Sequence, residues 1–224
     1  MARHTNFVRR RAGGAVLTMF VAGLSRAEAL SRLHPFKFGV AISAFKTGAA
    51  DAMAQIWLEK RETLDRRRSA IFVAWGAFYL GGIQYFIYVH LFSRVLFPSA
   101  AAFVAKPLRE RLADRAGQLT VIKQVALDQL LHHPFMLFPC FYCVKEAIEA
   151  GQLRASQFAA ARGKYLANLR EDCFVCWSTW VPAFLFNFSI LPIHARVPFV
   201  AVVSFGFTTY FSFLRGKPQE LADS

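Results

Sequence analysis

Four cysteines in 224 residues are too few to staple a secreted disulfide scaffold. The sequence also contains no glycine-rich phosphate loop, no G-x-S-x-G and no H-E-x-x-H. An enzyme reading therefore has nothing to stand on, and no catalytic residue, metal or cofactor is expected. Acidic residues are scarce as well: 14 Asp and Glu stand against 27 Lys and Arg, a formal charge of +13. That excess could suggest a nucleic acid partner, but the basic residues are spread over every connecting segment and form no stripe or recognition motif. They read instead as flanking, snorkelling and headgroup-facing charges, so membrane lipid is the expected partner and nucleic acid is not.

What is abundant is apolar surface. Hydrophobic residues make up 55% of the chain and aromatic residues 15%, an excess for a soluble domain of this length. It is collected into long stretches separated by charged segments, whereas a soluble α/β domain would interleave its charges more finely. Residues 35–58 start at Pro35, a natural helix start, and carry Lys37, Lys46 and Asp51. Residues 69–93 hold no Asp, Glu, Lys or Arg and include Gly76, Gly81 and Gly82, which would let another helix approach closely. Residues 119–144 are apolar but hold Lys123, Asp128, His132 and His133, with Pro134 and Pro139 expected to kink or break them. Residues 173–193, with Pro182, and 197–214 follow with a very short link, as a hairpin or one bent element. Residues 100–118 and 152–170 look like amphipathic helices lying along the interface. The expected fold is all-α: a transmembrane bundle of four spans, or four plus a C-terminal bent hairpin helix.

Residues 1–32 are basic, with five Arg before residue 32 and no acid before Glu28, and resemble an organellar presequence. Residues 33–215 then form a single membrane-embedded domain, and 216–224 a short polar tail. The positive-inside rule does not orient the chain: each of the three internal loops between the first four spans has five Lys or Arg, and six precede Pro35.

Ser43, Thr47, Asp51 and Gln55 recur every four residues, as do Thr120, Gln124, Asp128 and His132. At helical spacing each set makes one polar stripe. A carboxylate in hydrocarbon costs several kcal/mol, so Asp51 and Asp128 should face a basic partner, each other's helices or a water-filled path. Lys46, Lys123 and Arg196 are the candidate partners. Two readings remain open: the stripes line a polar conduit, or they are hydrogen-bonded glue between helices. Cys140-Phe-Tyr-Cys143 and Cys173-Phe-Val-Cys176 have the ligand count of a zinc site, but they enclose large apolar residues without turn-forming neighbours and read as small packing residues.

The order of several residues resembles a known family: the small organelle membrane proteins typified by the mitochondrial inner-membrane protein Mpv-seventeen and the peroxisomal membrane protein of twenty-two kilodaltons. The resemblance covers about residues 33–214. It rests on His34-Pro35 with Lys37, Asp51, Gln55 and Glu59; on Gly76, Gly81, Tyr88 and Pro98; and on Lys123 with Leu127-Asp128-Gln129 and Pro134. Its most specific part is Trp180-Val181-Pro182, then Asn187-Phe188, Pro192 and Arg196, then Tyr210 and Ser212. Gly82, Tyr85, Ile87 and Phe207 depart from the family's usual Pro, His, Trp and Trp, which puts any role of that patch in doubt. The resemblance implies a helical bundle in the mitochondrial inner membrane, or alternatively the peroxisomal membrane, with pore activity and no catalysis. It directs attention to Asp51, Asp128, Gln129, Trp180, Pro182, Asn187, Phe188, Pro192 and Arg196, with Asp128 and Arg196 as a candidate buried pair or gate. The competing expectation is a non-conducting accessory subunit of a larger assembly, and a homo-oligomer is compatible with either.

Overall fold

The structure, a computed structural model, describes residues 29–30, 32–151, 154–191 and 193–217, with the side chains of Ser189 and of residues 193–198 outside that description. Most of the presequence-like segment, Pro192, the Arg196 side chain and residues 218–224 therefore lie outside it. The chain divides into Met1–Gly39 and Val40–Ser224. In the first unit the His34 and Phe38 N–H groups donate to Leu30 O and His34 O, each at 2.9 Å.

Among the described residues every regular element is helical. Helix α1, Pro35–Met53, opens on Pro35 and widens into a π-helical end at Ala54–Leu58. Helix α2 spans Arg66–Leu96 and contains π-helical stretches at Gly76–Ile83 and Ile87–Leu96. Its start is set by Asp65, whose side chain accepts from the Arg68 N–H at 3.1 Å. Short helices α3, Pro98–Ala105, and α4, Leu108–Ala113, lead to α5, Arg115–Leu127. A π-helical segment, Asp128–Leu137, joins α5 to α6, Phe138–Ala150. Helix α7, Ala155–Ser189, and α8, Ile193–Arg215, complete the order.

Three expectations change in detail. Residues 100–118 are not one amphipathic helix, because Pro107 forces Lys106 into an extended conformation (ψ 149°) and Asp114 starts a new helix by accepting from the Gly117 N–H at 2.9 Å. Lys106 beside Asp114, with that Gly117 N–H, holds the Asp114 carboxyl below its ordinary range. Residues 152–170 are not a separate surface helix either. From Ala155 they run on into 173–189 as the single helix α7, since no Gly or Pro lies at the junction, residues 164–181, and the intervening Asp172 is buried against Arg215 and Tyr142. The 119–144 stretch bends without breaking: the wide π turns take up Pro134, and Pro139 falls in the first turn of α6, where a missing N–H costs little.

Of the expected spans, one among the described residues, Arg66–Leu96, is long and apolar enough to cross a bilayer by length and composition, and Phe199–Arg215 is a shorter apolar helix. The charges carried inside the other helices dilute their apolar runs.

The core joins α2, α6, α7 and α8 through Phe72, Trp75, Phe138, Phe141, Cys176 and Phe211. Trp75 stacks on Tyr79 (centroids 4.5 Å) and meets the Phe141 edge at 5.5 Å, while Phe141 lies 4.9 Å from Phe211. All four cysteines are free and pack in or against this core. Helices α1 and α2 approach through small residues: a Cβ on Gly76 would lie 2.0 Å from Thr47 Oγ1 and 2.6 Å from Ser43 O. Thr47 Oγ1 uses that proximity to donate to Phe72 O at 2.7 Å. At the other end, Arg111 donates to the carbonyls of Phe188 and Leu191, groups that the C-terminus of α7 leaves open.

Candidate functional site

Polar side chains of this chain turn inward while large apolar ones face outward. Phe45 of α1, Phe78 of α2, Phe135 of the π segment, Phe174 of α7 and Val202 of α8 are 73%, 58%, 69%, 70% and 73% exposed. A helix bundle with charge inside and apolar surface outside is arranged for a hydrocarbon solvent.

Two of the inward clusters are dry and paired. In the first, Arg68 of α2 donates through Nε to Asp51 Oδ1 at 2.8 Å, through Nη1 to Glu59 Oε1 at 2.7 Å and through Nη2 to Ser212 O and Oγ at 2.9 Å. Ser69 and Gln55 donate to the second Asp51 oxygen at 2.7 and 2.8 Å, so α1, α2 and α8 meet in one closed network. In the second, Arg215 of α8 donates to Asp172 Oδ1 of α7 at 2.7 Å, and Tyr142 of α6 to Oδ2 at 2.7 Å. Both are the satisfied networks that make a buried charge tolerable.

The third cluster borders empty space. A cavity of about 540 Å³ lies between the helices, bounded on its polar side by Lys46, Gln84, Tyr88, Gln124, Asp128, His133, Asn187, Ser204 and Thr208. Aromatic rings close the rest: Phe72, Trp75, Phe92, Trp180, Phe184, Phe188, Phe207 and Phe211. Lys46 Nζ donates to Ser204 Oγ and has no carboxylate partner among the described residues. Asp128 accepts from the Tyr88 hydroxyl and His132 Nδ1, each at 2.8 Å, and from Gln129 Nε2 at 2.9 Å. His132 Nε2 shares a 3.0 Å hydrogen bond with the Tyr79 hydroxyl. Two buried polar atoms on the cavity wall, His133 Nδ1 and Asn187 Oδ1, have no hydrogen-bond partner among the described residues, a state usually relieved by water, ion or ligand.

The residues singled out from sequence divide accordingly. Lys46, Asp128, Trp180, Asn187 and Phe188 line the cavity; Gln129 and His132 stand directly behind it, orienting Asp128. Asp51 does not line it, being closed in by Arg68. Lys123 is exposed on α5 and does not line it either. His34 and Pro35 lie at the start of α1, and Gly81 is buried within α2. Pro182 is accommodated inside an unbroken α7. Arg68, Tyr79 and Arg215 are participants that the sequence reading passed over, and Tyr88 entered it only through the family resemblance. Arg68 had a signal: it sits three, four and seven residues before Ile71, Phe72 and Trp75, which places it on the buried face of α2.

Comparison with known proteins bears on this arrangement. The Mpv17 / PMP22 family model matches residues 152–212, which hold Trp180, Asn187, Phe188 and Ser212. Protein SYM1 of Debaryomyces hansenii is 24% identical over 179 residues, covering 80% of this chain and 82% of its own. The chain is similar to the Mpv17 / PMP22 family, by its C-terminal part to the family model and by most of its length to individual members. Other relatives are Peroxisomal membrane protein 2 of Bos taurus, 26% identical over 85% of this chain and 88% of its own, and Mitochondrial inner membrane protein Mpv17 of Danio rerio, 23% identical over 88% and 99%. This likeness places the chain among organelle-membrane proteins, and the relatives' names carry both the mitochondrial inner membrane and the peroxisome, the localisation and the alternative expected from sequence. No solved structure matches it.

Proposed function

We propose that the protein is a multi-pass, non-catalytic protein of the mitochondrial inner membrane whose helices enclose a weakly selective chamber for small solutes or ions. The observation that carries this reading is the cavity of about 540 Å³ between the helices, walled by Lys46, Asp128, His133 and Asn187. Its volume falls in the range that holds a small organic molecule. The apolar residues exposed on five helical segments support multiple crossings. Helix α7 alone, 35 residues at about 1.5 Å each, exceeds the roughly 30 Å hydrocarbon core, so its charged first half extends beyond the bilayer.

A second reading, a non-conducting accessory subunit, is favoured by the dry pairing of Asp51 with Arg68, which serves only to hold helices together. Flux separates the two. Vesicles containing the full chain should pass small hydrophilic solutes at least tenfold faster than empty vesicles, and Ser204→Trp, which fills the cavity, should remove most of that gain. No flux from folded protein would leave the accessory reading. For the membrane, replacing Arg9, Arg10 and Arg11 with Ser should impair mitochondrial delivery; unchanged delivery counts against a presequence there.

A further inference from the structure

Asp128, His132 and His133 stand at i, i+4 and i+5 of the chain, and the π-helical winding of this segment brings the three together, Asp128 and His133 on the cavity wall and His132 directly behind it. One ligand atom from each lies within 4.8 Å of the others, and all three residues are at least nine-tenths buried. His133 Nδ1, which has no hydrogen-bond partner among the described residues, faces Asp128 Oδ2 at 3.6 Å, while His132 Nδ1 lies 2.8 Å from Asp128 Oδ1. Two donors bound to one ion at about 2.0–2.2 Å are held roughly 3.0–3.6 Å apart. The spacing of the second pair is that of a hydrogen bond, and the spacing of the first is too long for one.

From this geometry we propose that Asp128, His132 and His133 form a three-ligand site for a divalent first-row transition ion, with its remaining coordination position directed into the cavity. Two imidazole nitrogens and one carboxylate oxygen suit Zn²⁺ or Fe²⁺ and do not suit Mg²⁺ or Ca²⁺, which require oxygen shells. The surrounding residues supply the outer support that such ligands need. Tyr88 and Gln129 fix the carboxylate from two sides. Tyr79, itself fully buried, meets His132 Nε2 at 3.0 Å. On binding, the His132 proton moves from Nδ1 to Nε2, which then donates a hydrogen bond to the Tyr79 oxygen while the Tyr79 O–H turns away; Nδ1 becomes the ligand, and the count of protons is unchanged. The vacant position would be taken by water or by an acidic group of a solute in the cavity. The site does not depend on whether the cavity conducts.

The test is metal content and binding in tag-free, full-length protein in detergent, loaded with Zn²⁺ and, in parallel, with Co²⁺ or Cu²⁺ as spectroscopic probes. The expected result is about one ion per chain, with Cu²⁺ resonance split by two imidazole nitrogens. His133→Leu and His133→Gln should each weaken binding at least tenfold, whereas His90→Gln, on α2 outside the cluster, should not. The proposal is overturned if the folded wild-type chain binds no stoichiometric ion, if the resonance shows no imidazole nitrogen, or if either folded His133 variant binds as tightly as wild type.

Discussion

Arg68 and Asp51 meet at 2.8 Å with 2% and 0% of their side-chain surfaces exposed, and Ser212 of α8 bonds to both. The pair closes α1, α2 and α8 around a charge that has no access to solvent. Removing Arg68 leaves Asp51 buried without a cation, which costs about 3–5 kcal/mol. Arg68→Met should therefore lower the thermal midpoint in detergent strongly. The double variant Asp51→Leu with Arg68→Met should recover a large part of that loss, because the lone Asp51 charge is gone and Glu59 keeps Arg61 at 2.9 Å. Equal stability of the single variant and wild type would show that the pair is not structural.

Much of the site was legible in sequence because helical spacing alone puts Asp51 with Thr47 and Gln55, and Asp128 with Gln124 and His132. What spacing could not supply was the partner. Arg68 is the third of three consecutive arginines; its spacing to Ile71, Phe72 and Trp75 turns it inward and leaves Arg66 and Arg67 exposed, but that spacing does not say which carboxylate it meets. Lys46 illustrates the reverse: it looked like a counter-charge for a carboxylate, but α8 presents Ser204 to it. The fusion of 152–170 with the following span was hidden because Glu171 and Asp172 read as a loop, whereas Arg215, some forty residues later, neutralises them within the helix.

The approach of α1 to α2 depends on the missing side chain at Gly76, where a Cβ would meet Thr47 Oγ1 and the Ser43 carbonyl. Gly76→Val should destabilise the protein by about 1–3 kcal/mol through overpacking. Gly206→Ala, at a position with nothing within 4 Å, is the matched control and should be neutral or stabilising by up to about 1 kcal/mol. Thermal unfolding of both variants checks this, and a tolerated Gly76→Val would mean that the two helices are not tightly apposed.

The account centres on a solute-accessible chamber among membrane-embedded helices, and chemical access to its wall tests that most directly. In a background with Cys140, Cys143, Cys173 and Cys176 replaced by Ala, a cysteine would be placed either at Ser204, on the cavity wall, or at Ala50, which is 0% exposed and away from the cavity. Both would be treated in native vesicles with a small, membrane-impermeant thiol reagent. The account predicts that the Ser204→Cys chain is modified at least tenfold faster than the Ala50→Cys chain. Equal, slow modification of the two would contradict it, leaving a closed bundle whose polar residues only hold its helices together.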